Sequence, residues 1–285
     1  MSSIRRQLSA LSFVAGAVLA LGTAGAGTLD KVRQDKVLRI AFREDAPPFS
    51  FTDSIGEPAG CMVDLCRSGV TKIAAQLNIT DLKVNYVLVT AANRFDTIET
   101  GKADLLCEPT SATLSRREQM DFSIPTFIDG ASLLVAGDGP GDFNALAGKK
   151  IGVLGDTTTE QSLRDTLASA NIAAEVVPAK THEEGLAMLD KGEIVAYFGD
   201  RAILSYLAAK STDSSKLRLA DNYFSLEPYA LALAHGDEDF RLAVDRALSH
   251  IYRSGEIATV FAHTFGQMQP SDTLNTLYSV SALPD

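Results

Sequence analysis

Twice along this chain, short apolar runs alternate with amphipathic helical stretches, and that rhythm limits the possible folds more than any other feature. In the first series, residues 37–42, 82–89 and 103–107 read as strands, with helices at 62–77 and 92–99 between them. Strands separated by helices require crossover connections, so the pattern predicts an α/β lobe with a largely parallel sheet. A further strand at 130–136 is followed by Gly137-Asp138-Gly139-Pro140-Gly141, the most loop-like stretch of the chain. The second series then places strands at 150–153, 173–177 and 194–198 and helices at 157–170, 181–191 and 200–209. A strand at 229–234 and helices at 237–254 and 256–265 complete it, and the tail after Gly266 shows no clear periodicity. Two series of similar length predict two lobes, and 285 residues with 46% hydrophobic content suffice to give both a core.

The first 26 residues read as an export leader. Arg5 and Arg6 form a basic head, residues 8–21 an apolar stretch, and Ala24-Gly25-Ala26 a small-residue cleavage site. No stretch is long enough to be a stable membrane span, though retention of the leader as an anchor is the lesser alternative. Removing it takes the formal charge from −10 to −12, since the leader carries two arginines and no acid. An acidic exported protein is poorly suited to nucleic acid or anionic membranes. The three cysteines, Cys61, Cys66 and Cys107, match no zinc spacing, and the four histidines are scattered, so neither a metal nor a cofactor is expected. In an oxidising compartment they predict one disulfide, Cys66 with Cys107, joining a helix to a neighbouring strand, and one free thiol. The Rossmann glycine pattern and the P-loop are both absent.

Residues 103–127 mark the first candidate site. A short strand runs into Pro109, Thr110, Ser111 and Thr113, good helix caps, and Arg116 lies just inside the helix expected there. Free N–H groups, hydroxyls and a planar guanidinium at a strand end suit a carboxylate. Open α/β sheets place ligands at such strand ends. The other polar residues so placed are Arg43 and Arg94 in the first lobe, and Thr157, His182 and Asp200 in the second. If the lobes face each other, three arginines and a potential histidinium meet one carboxylate. A ligand with two carboxylates and one ammonium would satisfy that set.

With these residues in view the chain resembles the periplasmic solute-binding proteins of polar amino-acid ABC importers, which have the bilobed type II fold of two α/β lobes joined by two hinge strands. The resemblance spans about residues 28–265. It rests on Arg43 with Pro48-Phe49-Ser50, Gly60-Cys61-Met62-Val63-Asp64-Leu65, Asn93-Arg94-Phe95 and Ser111 through Arg116 followed by Asp121-Phe122-Ser123. It continues with Lys150-Ile151-Gly152-Val153, Gly155-Asp156-Thr157-Thr158, Ala196-Tyr197-Phe198-Gly199-Asp200 and Ser254-Gly255-Glu256. The likeness is nearest to glutamate/aspartate binders. It implies that Arg116 and Ser111 hold the ligand α-carboxylate and that Asp200 takes the α-ammonium. It implies further that Arg43, Arg94 and His182 hold a side-chain carboxylate, that Thr157 helps at a helix start, and that Phe51 walls the pocket. The chain departs from that pattern at Ala91, Glu108, Pro109 and Leu154.

The resemblance implies capture of a polar, acidic amino acid by hinge closure and delivery to a membrane permease, in the periplasm, by a monomer that is not an enzyme. The expected division is a leader at 1–26, a first lobe from 27–130 and 229–285, and an inserted second lobe at 131–228. The competing reading is a dehydratase-like enzyme on the same fold acting on a small dicarboxylate, with Glu108 and His182 as the available acid or base.

Overall fold

The computed structural model describes residues 27–284 apart from 138, 141, 212 and 213. The leader expected at 1–26 lies outside the described residues. Helix α1 (Thr28–Asp35) leads into β1 (Val37–Arg43), then three short strands, β2 (Asp45–Ala46), β3 (Ser50–Thr52) and β4 (Pro58–Ala59), form a small antiparallel sheet of their own. Helix α2 (Cys61–Leu77), β5 (Lys83–Val89), α3 (Arg94–Glu99), β6 (Leu105–Leu106) and β7 (Met120–Phe122) continue the first lobe, and β8 (Phe127–Asp129) leaves it.

The second lobe is built from β9 (Ala131–Ala136), β10 (Lys150–Leu154), α4 (Thr158–Ser169), β11 (Glu175–Ala179), α5 (His182–Asp190), β12 (Ala196–Asp200), α6 (Arg201–Lys210) and β13 (Leu217–Leu219). The chain returns through β14 (Glu227–Tyr229) and β15 (Ala232–Ala234), and closes with α7 (Glu238–Arg253), α8 (Glu256–Phe265) and α9 (Asp272–Ser281). Among the described residues no helix is long and apolar enough to cross a membrane.

The two main sheets have the orders β5-β1-β6-β15-β7 and β11-β10-β12-β9-β13. Each has a parallel centre, β5-β1-β6 in one and β11-β10-β12 in the other. The sheets are mixed rather than largely parallel, because β15 runs against β6 and β7, and β9 runs against β12 and β13. Both reversed strands, β9 and β15, directly follow a passage between the lobes. The two passages, β8 and β14, pair antiparallel with Asp129 opposite Glu227. Pairing of 227–229 with β8 and of 232–234 with β6 and β7 splits the single strand expected at 229–234. Gly130 lets the passages lie close, since a Cβ there would collide with the carbonyl oxygen of Ser225.

The first core packs α2 residues Met62, Leu65, Val70 and Ile73 with α7 residues Val244, Ala247, Leu248 and Ile251, all buried. Burying each of these side chains other than Ala247 contributes about 1.5–3 kcal/mol. Helix α9 occupies the tail that showed no periodicity. Ser271 caps it by accepting from the Leu274 N–H, and Leu274 and Tyr278, four residues apart, are its buried contacts. The Cys66–Cys107 disulfide spans a Cα separation of 6.4 Å and ties α2 to the end of β6, next to Glu108. Cys61 is the free thiol; burial pushes its pKa up to about 12, which makes it inert.

Candidate ligand-binding cleft

The strand ends of the two lobes face one another. Arg43 closes β1 with its guanidinium buried; Nε and Nη2 donate to Asp45 Oδ1 at 2.8 and 2.6 Å. Arg94 opens α3 with its side chain only 3% exposed, and its Nη2 donates across the lobes to the Asp156 carbonyl at 3.2 Å. Glu108 sits between these two arginines, fully buried, with Oε2 at 3.5 Å from Arg43 Nη1 and Oε1 at 3.4 Å from Arg94 Nε. Thr110 Oγ1 also donates to Glu108 Oε1. Burial weighs most heavily on Arg43, yet Asp45 and Glu108 together raise its pKa. For Arg94 burial wins and, with Arg116 and Arg43 nearby, the pKa falls to about 10 despite Glu108.

Arg116 lies on a single 3₁₀ turn at Arg116–Glu118, not on the helix expected after Ser111. Strand β7 starts two residues beyond the turn and takes the chain into the sheet, so no helix terminus forms there. Thr113 Oγ1 accepts the Arg116 N–H at 3.2 Å, and Arg116 Nη1 donates to the Ser111 carbonyl at 2.8 Å. Both Arg94 and Arg116 lie over the Phe95 ring, at 4.5 and 5.0 Å from its centroid. Ser111 makes a strand bridge with Tyr229, and its hydroxyl donates to Glu227 Oε2. From the second lobe Thr158 Oγ1 reaches the same Glu227 oxygen at 3.0 Å.

Asp200 ends β12, where its Oδ1 accepts from Thr159 Oγ1 at 3.1 Å. Burial, then Glu227 and Asp129, lift its carboxyl pKa well above the ordinary range. Burial also lifts Asp129 to about 6. A cation beside Asp200 would favour its charged form. Together Arg43, Arg94, Ser111 and Arg116 from one lobe and Thr157, Thr158, His182 and Asp200 from the other line one cavity. In this closed arrangement it encloses about 20 Å³. A wider groove of about 1150 Å³ between Phe95, Arg116 and α4 adjoins it, sharing Arg116, Thr157 and Thr158.

Residues 38–267 match the bacterial extracellular solute-binding proteins, family 3. The chain belongs to this family. The L-glutamate/L-aspartate-binding protein of Pseudomonas aeruginosa is 31% identical to it over 257 residues, 90% of this chain and 85% of that protein. The glutamate/aspartate import solute-binding protein of Escherichia coli is 28% identical over 259 residues, covering 90% and 86%. Among solved structures, a mutant of ArgBP from T. maritima superposes with a TM-score of 0.74 at 24% identity, over 84% of this chain and 99% of that one. An ancestral amino acid-binding protein, AncCDT-1, described as a precursor of cyclohexadienyl dehydratase, gives 0.72 at 25% identity over 84% and 100%. The fold is thus the bilobed one of periplasmic amino-acid-binding proteins.

In this solute-binding protein His182 is not a histidinium. Burial, then Arg43, push its pKa down to about 3. Its Nδ1 shares a 3.0 Å hydrogen bond with the Tyr197 hydroxyl, and Gly185, where a Cβ would collide with the Tyr197 ring, allows that approach. Its N–H faces Asp45 Oδ2 at 3.4 Å, across the lobes. Thr157 caps α4: its hydroxyl donates to the Leu154 carbonyl at 2.7 Å and accepts the Glu160 N–H at 3.1 Å. Its neighbours reach the first lobe instead, Asp156 through Arg94 and Thr158 through Ser111, whose Oγ lies 3.3 Å from Thr158 Oγ1. Phe51 packs against Tyr206 of α6 at 6.1 Å, outside the ring of residues lining the cavity. Around the cavity the structure also places Asp45, bonded to Arg43, and Thr158 and Glu227, bonded to each other, which the sequence did not single out as ligand-site residues. Asp45 stands two residues from Arg43, and Glu227 lies beside the expected return passage, so proximity was the available signal.

Proposed function

We propose that this chain is the capture component of an importer, taking a polar amino acid of the size class of glutamate and aspartate and delivering it to a membrane permease. The observation that carries this reading is one buried cavity in which Arg116 and Ser111 of one lobe meet Asp200 of the other. Arg116 offers the ligand α-carboxylate a bidentate donor, and Asp200, backed by Glu227, takes the α-ammonium. The names of the relatives support the amino-acid class. We assign residues 27–130 with 229–285 to the first lobe, 131–228 to the second, and β8 with β14 to the hinge, a division that the antiparallel pairing of the two passages supports. A cavity of about 20 Å³ admits no amino acid, so entry requires the lobes to part and capture requires them to close. The protein works as a monomer in the periplasm, without nucleic acid. We read it as a binder rather than a dehydratase: His182 is neutral and bonded to Tyr197, and Glu108 is held between two guanidinium groups, so neither is placed to move a ligand proton. The test is a thermal-shift screen of refolded protein against the twenty common amino acids and small dicarboxylates. A ligand of the native state raises the melting temperature with concentration. Turnover of a dicarboxylate, or no shift with any amino acid, would overturn the reading.

A further inference from the structure

Two guanidinium groups at the Arg43 and Arg94 end of the cavity would ordinarily be read as a seat for a ligand side-chain carboxylate. Here the chain supplies the counter-charges itself. Asp45 accepts two hydrogen bonds from Arg43, and Glu108 stands 3.5 Å from Arg43 and 3.4 Å from Arg94. Glu108 is fully buried and fixed in place, with Thr110 donating to it and the preceding residue, Cys107, bonded to α2 through the disulfide. His182, the remaining polar side chain of that end, adds no positive charge. Two cations therefore face two resident anions, and a second ligand carboxylate would enter a region already neutral, with Glu108 as a like charge behind the arginines. Such juxtaposition inside a buried site is unfavourable. Two donors nonetheless make no hydrogen bond among the described residues: Arg94 Nη1, and Nε, which lies 3.4 Å from Glu108 Oε1 as an ion pair only, and Arg94 lines the cavity. Donors without surplus charge suit an uncharged acceptor, such as the carbonyl of an amide.

We propose that Glu108 is a specificity-determining residue that makes the cleft prefer the uncharged amide of each acidic pair, glutamine over glutamate and asparagine over aspartate. This rests on the reading of the cleft as an amino-acid site. The members of each pair are nearly isosteric and differ in charge, so their affinity ratio isolates the effect. Calorimetric titration of refolded wild-type protein should show an amide binding more tightly than its acid by about tenfold or more. In Glu108→Gln, checked for folding by circular dichroism, that ratio should move toward the acid by about tenfold. The wild-type ratio needs no variant, so a misfolded Glu108→Gln would leave the proposal still decided. Tighter or equal binding of the acids in wild-type protein would overturn the proposal while leaving the amino-acid reading intact. Binding confined to apolar or cationic amino acids would do the same. No response to any α-amino acid would instead overturn the amino-acid reading, and this proposal with it.

Discussion

The two ends of the cleft are built from similar residues and are electrostatically opposite. At the Arg43 and Arg94 end each arginine has a carboxylate of its own, and the charges are settled before any ligand arrives. At the Arg116 and Asp200 end they are not. Arg116 is bound by a backbone carbonyl rather than a carboxylate, and burial, with Glu227 and Asp129 close by, pushes the Asp200 carboxyl up. A zwitterion brings what that end lacks, an anion for Arg116 and a cation for the acids. On the proposed reading, one end gains free energy from closing on a ligand, while the other shapes and filters what may enter.

The largest effect should come from the unsettled end. Arg116→Ala should weaken amino-acid binding about a hundredfold or more in calorimetry, since it strands the ligand carboxylate. A loss below about threefold would erase the distinction between the ends. Asp200→Asn should cost about tenfold to a hundredfold, and small-angle scattering should show a larger fraction of open protein at a fixed ligand concentration. Unchanged scattering with weakened binding would separate the ammonium contact from closure. At the settled end, Cys66→Ser with Cys107→Ser should lower unfolding free energy by about 2–4 kcal/mol in denaturant titration. It should also blur the amide-over-acid preference by loosening the strand end that carries Glu108.

The smallest effect is His182→Gln, with affinity at neutral pH changed by less than about threefold. Its signature is in pH. A histidine whose folded pKa is pushed down to about 3 contributes stability that is fully present above its unfolded pKa of 6.5 and is lost as pH falls through that window. The variant should therefore lose less stability than wild type between pH 6.5 and 3. Equal losses would mean that the buried imidazole is charged, and the end richer in positive charge than described.

Much of the architecture is legible in the alternation of apolar runs and helices because those signals are local. The start of α4 at its Thr157 cap and the limits of α7 and α8 all follow from near neighbours. What escapes is set by distant partners. The turn at Arg116 looks like a helix start, and only pairing of Met120–Phe122 with β15 makes the chain extended there. The tail after Gly266 is helical because Leu274 and Tyr278 find the first core, although Ser271 already offered a cap. In the cleft, Arg43, Arg94, Arg116, Thr157, His182 and Asp200 come together as their strand-end positions suggest. The charge state of His182 and the reach of Glu108 to both arginines depend on burial, which no spacing in the chain encodes.

The most direct test compares one bound amino acid with two analogues, the amine lacking its α-carboxylate and the acid lacking its α-amino group, by calorimetric titration of refolded protein. Each analogue should bind about a hundredfold or more weakly than the parent, because closure depends on filling Arg116 and Asp200 together. Either analogue binding within about threefold of the parent would contradict that.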